Sequence, residues 1–182
     1  MLAQKPTLQF LDFDNALKGS VAGVPSGVIS FRDKVYFEVI FQDIWVDGIG
    51  AIGWAVAGDF KPSTGDEALS TAKWYFPDGQ YTLDRKKTEY GKSPKRYTYD
   101  KFYVVGIIAD MTTGELSFSL NGYDQGVAFR LTDKSQKYFP VFWGINLSMV
   151  VNFGDAPFKY RPPDRSFKKL ELNCDVISWI FS

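Results

Sequence analysis

The chain has 182 residues, no histidine, a single cysteine, and 21 basic against 21 acidic residues. A formal charge of zero supplies no global field to attract a polyphosphate, so nucleic acid is not an expected partner. Cys174 alone excludes an internal disulfide and a multi-cysteine zinc site, which points to a reducing compartment, cytoplasmic or nuclear.

A chain of this length buries roughly two thirds of its unfolded surface and needs no staple to hold one core. Its 45% hydrophobic and 17% aromatic content favours strands, because planar and branched side chains suit a pleated surface. The first six residues carry no apolar run of signal-peptide length. No segment approaches the roughly 18 apolar residues of a membrane span, so no membrane partner is expected.

Residues 8–15 alternate imperfectly, and residues 1–14 are read as an N-terminal extension or edge strand. Residues 19–27 are rich in Gly, Ser and Pro, as a loop or an irregular edge strand is. Residues 35–41 form the first clear strand. Val35, Phe37, Val39 and Phe41 share one face and Tyr36, Glu38 and Ile40 the other, which predicts a strand covered on both sides. Residues 49–57 are similar, interrupted by Gly50 and Gly53, where a bend or a close backbone approach is expected.

From 58 to 100 the periodicity fades among Lys61-Pro62, Pro77-Asp78-Gly79 and Lys92-Ser93-Pro94, which reads as long surface loops, with room for one helical turn over 66–72. The densest basic run, Arg85-Lys86-Lys87 and then Lys92, Lys95 and Arg96, is interspersed with Asp84 and Glu89 and reads as a solvated loop.

Residues 103–130 are the most regular part of the chain. Val104 to Ala109 is nearly continuous apolar sequence ending at Asp110, and Gly114 supplies the glycine that a short hairpin loop needs. Leu116, Phe118 and Leu120 then alternate with Glu115, Ser117 and Ser119, a half-buried strand. Asn121-Gly122 follows at once, and both residues tolerate the positive φ of a type I′ turn. Two more strands are expected over 138–143 and 147–153. Many short strands at regular spacing imply an all-β fold, a β-sandwich of two antiparallel sheets with little helix.

Residues 161–182 differ in character. After Arg161-Pro162-Pro163, the residues Phe167, Leu170, Cys174 and Ile177 fall at spacings a helix can use, and 176–181 is too apolar to hang in water. This tail is expected to pack on the sandwich or on a partner.

Little in the chain suggests chemistry. Without histidine the commonest general base, metal ligand and partner of a nucleophile is missing, and Cys174 in an apolar tail is inert. The five glutamates, at 38, 67, 89, 115 and 171, are scattered singly, so no carboxylate pair of the glycosidase kind is seen. Glu38, among apolar neighbours, is expected to pair with Arg32 or Lys34. Asp12-Phe13-Asp14 offers two carboxylates, too few for an oxygen cage. No phosphate-binding loop or dinucleotide motif occurs, and neither enzymatic activity nor a cofactor is expected.

The ordered wording Tyr-Phe-Glu-Val (36–39), Ile-Gly-Trp-Ala (52–55), Val-Gly-Ile-Ile-Ala-Asp (105–110), Gly-Glu-Leu-Ser-Phe-Ser-Leu-Asn-Gly (114–122), Gly-Val-Ala-Phe (126–129), Tyr-Phe-Pro-Val (138–141) and Val-Asn-Phe-Gly (151–154) resembles the SPRY domain over 15–160. The resemblance implies a non-catalytic module that binds a short peptide segment or a protein surface through loops at one end of the sandwich. It also implies roles such as substrate recognition in ubiquitin ligases, parts of larger channels, or chromatin- and RNA-associated proteins, as a monomer or within a larger assembly.

Transferred by position, the binding end comprises residues 12–15, 75–81 and 143–146, and its candidate contacts are Asp12, Asp14, Asn15, Tyr75, Tyr81, Trp143, Gly144 and Asn146. Aromatic and amide groups on loops at a rigid end are what a binding hot spot uses. Trp143 ends an apolar strand and fits a core role as well as a contact, whereas Trp54 and Trp74 sit within strand wording and read as core. Two further readings stand beside peptide binding: a carbohydrate-binding sandwich with exposed aromatics, and a structural module whose tail makes a constitutive contact.

Overall fold

The computed structural model describes residues 8–13, 20–23, 29–42, 44, 47–58, 69–70, 72–78, 80–92, 102–172 and 178–180. One sheet holds six strands in the order β1 (Gln9–Asp12), β12 (Ser148–Asn152), β3 (Lys34–Gln42), β8 (Phe102–Asp110), β9 (Glu115–Leu120) and β10 (Tyr123–Arg130). The other holds seven, in the order β13 (Ser178–Ile180), β2 (Ser20–Gly23), β11 (Tyr138–Ile145), β4 (Ile49–Val56), β5 (Ala72–Phe76), β6 (Tyr81–Asp84) and β7 (Lys86–Glu89). Every strand pairing is antiparallel, so the fold is the all-β sandwich that the alternation predicts.

The core lies between the sheets. Phe37, Phe41, Ile107 and Phe118 of the six-stranded sheet meet Ile52, Trp54, Tyr75 and Phe142 of the seven-stranded one, all of them fully or almost fully buried. Each such side chain contributes about 1.5–3 kcal/mol on leaving water. Gly50 makes room for this contact, since a Cβ there would stand 2.6 Å from the Phe41 ring and 2.8 Å from Leu147. The β9–β10 turn has the expected I′ geometry, with φ of 48° at Asn121 and 84° at Gly122, and the Asn121 side chain accepts from Val104 N–H at 2.9 Å.

The seven-stranded sheet is apolar on its outward face too, where Trp74, Phe76, Phe139, Val141 and Trp143 form a second buried cluster. The six-stranded sheet is covered on its outward face by residues 153–160. Phe158 packs edge-on against Tyr36 at 4.9 Å, and the Glu38 carboxylate accepts from Lys159 N–H and Tyr160 N–H, each at 2.7 Å, and from Tyr36 hydroxyl at 3.0 Å. Glu38 therefore does not pair with Arg32 or Lys34. Its strand alternation aims it at the backbone of the crossing segment, while Lys34 forms an ion pair with Asp110 at 3.1 Å.

Two further expectations are corrected. The region 58–100 is not loop alone but carries β5, β6 and β7, whose short hairpins leave too few residues for a periodic signal. The described part of the tail, 161–172, forms no helix. Pro162 and Pro163 supply no N–H, and Lys168 instead bridges to β3, donating to Lys34 O at 2.8 Å and accepting from Tyr36 N–H at 2.9 Å. Leu170 enters the core, and β13 pairs with β2. Cys174 and Ile177 lie outside the described residues.

Candidate functional site

The segments singled out by sequence lie at one end of the sandwich. Asp12 is opposite Ser148, Ser148 opposite Gln42, and Gln42 opposite Phe102, which aligns the ends of β1, β12, β3 and β8. The link from Ile145 to Ser148 carries the chain from one sheet to the other, so the ends of β11 and β4 coincide with them. Phe76 pairs with Tyr81 and closes the β5–β6 turn at the same end.

Two distant segments are tied together here. Asn146 takes φ of 50°, a left-handed conformation that Asn accepts more readily than most residues. Its N–H donates to Phe13 O at 3.0 Å, and Phe13 N–H donates to Leu147 O at 2.9 Å. Gly144 allows the approach, because a Cβ there would stand 2.7 Å from the Phe13 ring.

The third segment brings a carboxylate and an aromatic row. Asp78 sits at the surface with its carboxyl beside the buried Tyr103 hydroxyl, and Tyr103 stacks on Phe41 at 4.7 Å. Loss of solvent raises the Asp78 pKa, against the hydrogen bond from Tyr103, which lowers it. Burial, and then the Asp78 charge, push the Tyr103 hydroxyl well above its usual value. On the outward side Tyr81 stacks on Phe76 at 4.6 Å, and Phe76 meets Trp143 edge-on at 5.8 Å.

The proposed contacts therefore divide. Asp12 is exposed, and Tyr81 and Asn146 are half-buried. Asp14 and Asn15 lie outside the described residues. Trp143 is buried in the outward cluster, and Gly144 is buried under Phe13. Tyr75 is corrected to a core residue, because the alternation of β5 turns it inward onto Phe118 at 4.6 Å and Tyr90 at 5.1 Å. Sequence reasoning did not single out Gln42 or Phe102 as parts of this end, and it included Asp78 only within the segment 75–81, not as a contact. Asp78 is hidden in a Pro-Asp-Gly turn signal, and Phe102 precedes an apolar run although it is 51% exposed. Among the described residues no group of acidic or cysteine side chains is arranged to hold a metal ion.

A profile of the SPRY domain matches residues 34–156, from the start of β3 to just past β12. The chain belongs to the SPRY domain family. SPRY domains are protein-interaction modules and generally not catalysts. The chain is similar to the ATP-dependent RNA helicase Ddx1 of Drosophila melanogaster, 29% identical over 175 residues that cover 86% of this chain and 22% of that protein. It is also similar to heterogeneous nuclear ribonucleoprotein U-like protein 2 of Mus musculus, 31% identical over 156 residues that cover 81% of this chain and 20% of that protein. A probable Ddx1 helicase of Dictyostelium discoideum is 28% identical over 76% of this chain and 16% of its own length. The SPRY chain thus spans about a fifth of the length of these relatives.

Proposed function

We propose that this SPRY domain is a non-catalytic protein-interaction module that captures a short peptide segment at the end of the sandwich formed by Asp12, Gln42, Asp78, Tyr81 and Asn146. The observation that carries the reading is the convergence of chain-distant loops on a rigid base, with the 12–13 and 146–147 segments locked by reciprocal backbone bonds. Polar groups held by a stiff scaffold lose little entropy on binding, which is how a small surface reaches useful affinity. Trp143, Gly144 and Tyr75 support this end from beneath rather than touch the ligand.

The ligand is a protein segment rather than RNA. Asp12, Asp47 and Asp78 stand at this end, with Lys87 over Tyr81 and Lys159 over Phe102 at its margins, and the carboxylates repel a phosphate backbone. Relatives named as an RNA helicase and a heterogeneous nuclear ribonucleoprotein support a reading in which this domain supplies partner recognition within an RNA-associated protein, in the nucleus or cytoplasm.

The test is capture of peptides from a displayed random library, repeated with Asn146→Gly and Tyr81→Ala together. Capture by the parent chain and its loss in the variant, with the fold intact by circular dichroism, supports the site. Undiminished capture by the variant rejects it.

A further inference from the structure

A second surface lies along the free edge of the seven-stranded sheet. β7 is the last strand in that sheet, all four of its residues are exposed, and no described residue pairs with its outer side. Tyr90 N–H donates to Gln80 O at 2.9 Å, which sets the phase of the β6–β7 ladder. Hydrogen-bonded pairs alternate, so Thr88 bonds inward to Thr82 while the N–H and C=O groups of Lys87 and Glu89 face away from the sheet.

The charge at this edge is mainly basic, with Glu89 the one carboxylate of β7. Arg85, Lys86 and Lys87 stand in succession, Lys92 follows, and Asp84 beside them is held by Lys73. Among the described residues none of Arg85, Lys86 and Lys87 has a carboxylate partner. The Lys87 ammonium lies 4.1 Å over the Tyr81 ring, which limits its wandering. Residues 85–101 carry seven basic residues against two acidic, whereas the rest of the chain carries 14 against 19, so the excess is local. Lysines on an edge strand repel a second cationic edge and so guard against aggregation. The same charges attract an acidic one.

We propose that β7 is a docking edge for an extended acidic peptide segment of a partner protein, which adds as a further strand with carboxylates beside Lys87 on one face of the sheet and beside Lys86 on the other. A peptide is favoured over a nucleic acid because a phosphodiester backbone has no amide groups to match the outward N–H and C=O groups of Lys87 and Glu89 in register. This surface adjoins the loop end where Lys87 covers the Tyr81 ring, but its strand-adding groups face outward from β7, and neither reading depends on the other.

The test is a fluorescence anisotropy titration of the full chain with a labelled peptide of Glu-Glu-Val-Val repeats, whose carboxylates fall on both faces of an added strand, alongside the same peptide with Lys for Glu and a single-stranded oligouridylate. The acidic peptide is expected to saturate and the lysine peptide to show no binding. Lys86→Glu with Lys87→Glu is expected to weaken the acidic peptide by at least about tenfold. Glu89→Pro is decisive: it deletes an outward N–H, spares the inward ladder and removes a negative charge. Charge attraction alone predicts tighter binding to that variant, whereas strand addition predicts binding several-fold weaker. If Glu89→Pro disturbs the fold, an acidic peptide N-methylated on alternate residues gives the same readout on the unaltered protein. Failure of the acidic peptide to bind, tighter binding of the oligouridylate, or undiminished binding by both Glu89→Pro and the N-methylated peptide overturns the proposal.

Discussion

Glu38 and Asp78 are both carboxylates beside a tyrosine hydroxyl, the first buried on a sheet face and the second at the surface of the loop end, and the sandwich treats them in opposite ways. On the outward face of the six-stranded sheet, three donors converge on the two oxygens of Glu38, two of them backbone N–H groups of the crossing segment. Gly106 leaves room for the arrangement, since a Cβ there would stand 2.8 Å from the Tyr36 hydroxyl. At the loop end, Asp78 has the Tyr103 hydroxyl beside it, and desolvation outweighs that bond. A carboxylate whose hydrogen-bonding capacity is met from within acts as architecture. On the proposed reading, one that stands at the surface, at the same end as the half-buried amides of Gln42 and Asn146, gains its further partners from a ligand.

The contrast can be broken first in the scaffold. Trp143→Ala is expected to cost about 3–5 kcal/mol by opening a cavity under the outward cluster, measured by urea unfolding. Glu38→Ala is expected to cost about 3 kcal/mol, because it leaves two N–H groups and a hydroxyl buried without an acceptor. Peptide capture per folded molecule should survive Glu38→Ala. Wild-type stability in that variant would show the Glu38 bonds to be idle.

Gly144→Ala comes next, at about 1–3 kcal/mol, since its methyl would meet the Phe13 ring and must displace the segment carrying Asp12. This variant bridges the two regions, so stability and peptide affinity should fall together. Asn146→Gly keeps the left-handed turn while deleting the amide, and its stability should stay within about 0.5 kcal/mol of the parent. A drop in peptide capture without a drop in stability then marks Asn146 as a contact.

The smallest effects are in pH dependence, where Asp78 and Asp110 should differ in sign. Desolvation tends to raise the Asp110 carboxyl, but the Thr112 hydrogen bond, followed by the bond and charge of Lys34, outweighs it and holds the group below its usual range. A folded pKa below the unfolded one stabilises above about pH 4 and loses that contribution as pH falls through the folded value. Asp110→Asn should therefore lower the melting temperature at neutral pH and make little difference in strong acid. The Asp78 pKa is raised, so ionisation costs stability as pH climbs past the unfolded value. Asp78→Asn should leave the melting temperature at neutral pH equal or higher, with the gain gone in acid.

How much the sequence revealed follows from how local each signal is. The meander of β8, β9 and β10 is readable because alternation and Asn121-Gly122 act within a few residues. β5, β6 and β7 are hidden because four- and five-residue strands between turns supply barely one period. The burial of Tyr75 depends on which way β5 turns its faces, and Trp143 points to a second apolar layer that no single strand announces. Glu38 could be seen as a buried charge, but two of its three donors come from residues more than a hundred positions away. The loop end was legible through position within the family pattern. Gln42 and Phe102 join it only through strand pairing across the chain.

Amide chemical-shift mapping tests the central claim most directly, using the tightest peptide selected from a random library and the isotope-labelled full chain. The largest changes should fall on Asp12, Phe13, Gln42, Asp78, Tyr81 and Asn146, with residues 153–160 and their Glu38 anchor unmoved. Changes concentrated on the crossing segment, with the loop end silent, would contradict it.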